Sequence, residues 1–94
     1  MSHPAVRPED ILPDDVNSTE VAGVQVRKGT VAAVLANAAV LESKRSSDEE
    51  KQQALSMIES LAPAIVAIGL HHHVTWNNKT IQDIIAAAAE ISES

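Results

Sequence analysis

Three consecutive histidines, His71-His72-His73, are the residues of this 94-residue chain whose type most directly suggests chemistry. Imidazoles bind transition metals near neutral pH. In a strand, His71 and His73 point to one side and His72 to the other, so His71 and His73 form the candidate metal pair. A third ligand would come from His3 or from a second chain. Helical zinc ligands sit four apart beside a carboxylate, and this run has no such spacing. His72 shares its side with Val74 and Trp76 and is expected to pack half-buried.

A second candidate is the turn Arg27-Lys28-Gly29-Thr30, placed just before a helix. Free amides and the helix dipole favour an anion there, so these four residues form the candidate anion site. They resemble only the tail of a phosphate loop. Gln25 and Val24 occupy the place where that loop needs its upstream glycine, which argues against nucleotide binding by that route.

Catalysis needs a nucleophile beside a base, or paired carboxylates in a desolvating cleft. Ser43, Ser46, Ser47, Ser56 and Ser60 fall at caps or on a polar face, and no Gly-x-Ser-x-Gly elbow occurs. The acid pairs Glu9-Asp10 and Asp14-Asp15 lie in a proline-rich stretch with nothing to desolvate them. The chain is expected not to be an enzyme and to use no cofactor.

The elements that would position these residues follow from pattern. Residues 1–19 hold three of the four prolines and four acids, which predicts a flexible, acidic, Pro-rich N-terminal arm. Pro8-Glu9-Asp10-Ile11-Leu12 could supply one helical turn whose apolar pair docks on the core or on a partner. Residues 20–94 are then a single compact domain. Alternation over Glu20 to Lys28 predicts a strand with Val24 and Val26 facing inward. Thr30 is the expected N-cap of a helix running to about Lys44, with Val31, Val34, Leu35, Ala38 and Leu41 as its inward stripe. The other side of that helix carries Ala32, Ala33, Ala36 and Val40, so both sides need cover, and Ala33, Ala36 and Val40 are the candidate interface residues.

Ser47-Asp48-Glu49-Glu50 matches a capping box and starts a second helix that ends at Gly69. Its Pro63 falls among polar residues, where a freed carbonyl can be hydrated, compatible with either a break or a kinked continuous helix. His71 to Trp76 reads as a second strand. Asn77 or Asn78 caps a third helix, with Trp76 and Ile81 spaced as a hydrophobic staple if Asn77 is the cap, and Ile81, Ile84, Ile85, Ala88 and Ile91 form the stripe. Val24 to Thr30 and Val74 to Thr80 also echo each other as strand, turn and threonine, 50 residues apart. The predicted class is mainly α with a small β component (α+β), three helices packed on two short strands in the order β-α-α-β-α.

Composition bounds the function. Apolar residues make up 45% of the chain, fifteen of them alanine, while Tyr, Phe and Cys are absent and Trp76 is alone. Without cysteine there is no disulfide framework and no thiolate chemistry. The net charge of −6 argues against nucleic acid or an anionic membrane as partner. No signal peptide is expected at the start, and the longest apolar run, Val31 to Leu41, is too short to span a bilayer, which makes the cytoplasm the expected compartment. An apolar first helix that so short a chain cannot bury on all sides predicts a small non-catalytic assembly module that pairs with copies of itself. The acidic arm is a candidate contact for a further protein. The alternative is a small metal- or anion-binding regulatory protein using His71 to His73 or Arg27 to Thr30.

Overall fold

The structure, a computed structural model, describes residues 18–93. The arm expected over residues 1–19 lies outside them, apart from Ser18 and Thr19, whose backbone opens the first strand. The observed class is α+β, three helices and a two-stranded antiparallel sheet, in the order β-β-α-α-α.

The stretch expected to form one strand is a hairpin. Strand β1 (Ser18–Val21) pairs antiparallel with β2 (Val24–Arg27), with Ser18 opposite Arg27 and Val21 opposite Val24. Ala22 and Gly23 make the two-residue turn with φ of 50° and 79°. Positive φ at both central residues is the type I′ pattern, whose twist matches that of the flanking strands. Glycine adopts this at little steric cost, while alanine in the left-handed region is strained. In β2, Val24 and Val26 are half-buried and Gln25 and Arg27 exposed, as the alternation predicts.

Helix α1 (Thr30–Glu42) is capped by Gly29 rather than Thr30. Gly29 sits at φ 88°, a left-handed conformation that lets the chain leave β2 and enter the helix within two residues. Thr30 is the first helical residue, and its buried hydroxyl donates to the Arg27 carbonyl at 2.7 Å. The helix ends at Glu42, with Ser43 turning to extended backbone.

Helix α2 (Asp48–Ala67) starts on the expected capping box. The Glu50 amide donates to Ser47 Oγ at 3.1 Å, and the Ser47 amide donates to Glu50 Oε1 at 2.8 Å. Asp48, Glu49 and Glu50 add negative charge at the positive end of the helix dipole. Pro63 does not break the helix. It stands exposed on the side shared by Gln52, Ser56, Glu59 and Ser60, where water can reach the carbonyl it leaves unpaired. Gly69, at φ 82°, follows the helix end.

The second expected strand does not form. Leu70–His72 is a 3-10 turn, and its amides find partners locally: His72 donates to the Gly69 carbonyl, and His73 and Val74 both donate to that of Leu70. Backbone groups satisfied in this way need no sheet edge. The 50-residue echo therefore lacks its strand half. Helix α3 (Lys79–Glu93) is capped by Asn78, whose Oδ1 accepts from the Ile81 amide at 3.2 Å. With Asn78 as cap the Trp76–Ile81 staple is out of step. Trp76 is held instead by its own amide, which donates to Gln82 Oε1 at 2.9 Å.

Helix α2 is the centre of the fold. Both α1 and α3 pack chiefly against it, and β2 lies on it as well. The core is Val34 from α1, Ile58, Ala62, Ile65 and Val66 from α2, and Ile81 and Ile85 from α3. Among the described residues no helix is long and apolar enough to cross a membrane.

Candidate functional site

The 3-10 turn redistributes the histidines. His71 is half-buried, while His72, expected to pack inward, is exposed together with His73. Strand alternation no longer relates the three side chains. The rings of His71 and His72 lie 4.0 Å apart between centroids, tilted by 36°. Among the described residues no three His, Asp or Glu side chains are grouped so that they could hold a metal ion. His3, the third ligand considered from sequence, lies outside the described residues.

At the other candidate site, Arg27, Lys28 and Gly29 are exposed and precede the N-terminus of α1. The Thr30 hydroxyl is buried and already donates its hydrogen to Arg27, so it locks the strand-to-helix corner. The four residues stay contiguous, with Thr30 in a structural role.

The surface that stands out is on α1. Because α1 packs chiefly on α2, its inward stripe is narrow: Val34 is fully buried, and Val31, Ala38 and Leu41 pack partly buried around it. Leu35, expected to face inward, is 55% exposed. One residue is 100° from the next around a helix, so Leu35 sits well away from the Val34 direction. With Ala32, Ala36 and Ala39, all exposed, it forms an outward face that is apolar from Ala32 to Ala39 and ends at the exposed Glu42. Of the three candidate interface residues, Ala36 belongs to this face and Ala33 and Val40 are half-buried beside it. Val40 also borders a hollow against α2 lined by Asn37, Glu50, Gln53, Ala54 and Met57. Leu35 was missed from sequence because period alone assigns a stripe width, whereas the observed width depends on how many neighbours the helix has.

A second apolar surface was not legible in sequence. A groove of about 530 Å³ opens between the hairpin, α2 and α3. Its walls include Val24, Pro63, Ile84, Ala87 and Ile91, and among the described residues Glu59 is the one charged residue lining it. Ile91, the last member of the α3 stripe, is 78% exposed at this groove while Ile81 and Ile85 are buried.

Hydrogen bonds from the Ser47 backbone and side chain hold the Glu50 carboxyl below the usual glutamate range. Lys79 and Asp83 form an exposed ion pair at 2.9 Å, a spacing of limited energetic worth on a helix surface. Among the described residues no buried acid, base or nucleophile assembly emerges, whereas two apolar surfaces do. Compared with protein-family models, with curated proteins and with solved structures, the chain matches none.

Proposed function

We propose that this protein is a small non-catalytic assembly module that associates with copies of itself through the outward face of α1, in the cytoplasm. The observation that carries the proposal is the exposed run Ala32, Leu35, Ala36 and Ala39, apolar throughout on a helix whose opposite side already fills the core. Contiguous exposed apolar surface on a small domain marks an interaction site. Three alanines keep the face thin, which allows close approach of a second backbone and good packing around Leu35. Burying what remains open of Leu35 contributes about 1 kcal/mol per copy, so the surrounding contacts must supply the remainder of a stable interface.

Solution mass tests it. Light scattering on the full chain at micromolar concentration should give more than the 10.0 kDa of one chain. The variant Leu35→Glu should return the mass to that of one chain with the helical circular dichroism unchanged. A wild-type protein of one-chain mass over this range would refute the proposal.

A further inference from the structure

Resting on the self-association proposed above, we propose that α1 pairs with α1 of one second copy, antiparallel about a two-fold axis at the middle of its outward face. The exposed run Ala32, Leu35, Ala36 and Ala39 is centred between Leu35 and Ala36. Across an axis placed there, residues equally far from the centre come level, so that Ala32 meets the partner's Ala39 and Leu35 meets the partner's Ala36. Leu35, 55% exposed and the one large side chain of the run, then covers an alanine on each side of the axis. The alanines let the two helices approach to about 8 Å, the near end of the usual range.

The two ends of α1 set the direction. Its N-terminus follows the exposed Arg27, has Gly29 as a cap with no side chain to bond the first amides, and carries no acid in the first turn. Its last turn holds the exposed Glu42 and no base, and beyond it Lys44 and Arg45 are offset by Asp48, Glu49 and Glu50, all exposed. The positive end of the helix dipole therefore meets no acid of its own turn, and the negative end is reinforced rather than relieved. In the antiparallel pair Glu42 comes level with the partner's Gly29, which brings each carboxylate to the positive end of the other helix. A parallel pair would set Glu42 against Glu42 and Arg27 against Arg27. A face that is its own complement makes an isologous contact, which closes at two chains.

The chain has no cysteine, so single cysteines report the pairing in the full-length protein. Ala36→Cys, beside the axis, should cross-link with itself under mild oxidation. Two copies of Ala39→Cys, or of Ala32→Cys, stand about 10 Å apart along the pair. That exceeds the roughly 7 Å between Cα atoms that a disulfide spans, so neither variant should cross-link alone, while an equimolar mixture of the two should. All three positions are exposed, and far-ultraviolet circular dichroism should show each variant folded.

Wild-type mass should stop at two chains as concentration rises. Glu42→Lys should weaken the pair about tenfold, because the change acts at both ends of the contact. It also places a base at the negative end of its own helix, so the loss does not come from a weakened α1. A wild type of one-chain mass at micromolar concentration removes the self-association on which the pairing rests. Where the wild type does associate, four results each overturn the antiparallel pair while self-association stands. These are no cross-link in Ala36→Cys, Ala39→Cys cross-linking alone as readily as in the mixture, a mass beyond two chains, and unchanged association of Glu42→Lys.

Discussion

Replacing Ala22 with asparagine should stabilise the protein, and the size of the gain follows from one dihedral angle. Ala22 holds φ 50° at the first position of the hairpin turn, followed by Gly23 at 79°. A left-handed conformation costs an ordinary L-residue about 1–2 kcal/mol, and asparagine recovers part of that because its short polar side chain tolerates the region. Asn-Gly is also the preferred pair for a type I′ turn. The expected gain is about 0.5–1 kcal/mol. For a domain of this size each kcal/mol moves the midpoint by roughly 4–8 °C, so Ala22→Asn should raise it by roughly 2–8 °C. The side chain is exposed, so no core contact is lost in the exchange. Ala22→Val should go the other way, since a β-branched residue is a worse occupant of positive φ. Thermal unfolding followed by circular dichroism measures both, at one fixed protein concentration because association shifts apparent stability. An unchanged or lowered midpoint for Ala22→Asn, with no loss for Ala22→Val, would refute the assignment of strain to this turn.

Further outcomes follow from the other elements. On α1, Val34→Ala should cost about 2–3 kcal/mol as a cavity at a fully buried site, whereas Leu35→Ala one position later should change monomer stability little and weaken association; urea titration separates the two. Ser47→Ala removes one half of the capping box and should cost about 1 kcal/mol by the same assay. Because the folded state holds the Glu50 carboxyl below its ordinary range, the stabilisation it brings is present above the unfolded glutamate value and is lost as pH falls through the lowered folded value. The wild-type advantage over Glu50→Ala, which removes the acceptor of the Ser47 amide, should therefore shrink in acid titrations below the usual carboxylate range. Pro63→Ala restores an amide inside α2 and should raise stability by about 1–3 kcal/mol, and a fall in midpoint would contradict the reading that Pro63 costs the helix a hydrogen bond.

How legible the fold was depends on how local each determinant is. The capping box at Ser47 and Glu50 and the asparagine start of α3 were readable because the groups that bond lie within three residues of each other. The hairpin was hidden because Ala-Gly stands where the usual turn signal is Asn-Gly, so two four-residue strands read as one. His71 to Trp76 looked like a strand from its length and its Val-Thr-Trp ending. What decided otherwise was Leu70, which anchors a 3-10 turn on the core and accepts the amides of His73 and Val74. The candidate interface was half legible. An apolar first helix pointed to a second covered side and to Ala36, but whether Leu35 faced in or out depended on α1 packing chiefly on α2. The groove could not be read at all, since its walls come from three elements separated by up to 70 residues of sequence.

The central claim is that the outward face of α1 binds another copy of the chain, and sedimentation equilibrium of the wild type beside Leu35→Glu tests it most directly. The account predicts a wild-type mass above 10.0 kDa that Leu35→Glu returns to that value without loss of helix. Equal one-chain masses for both proteins at micromolar concentration would contradict it.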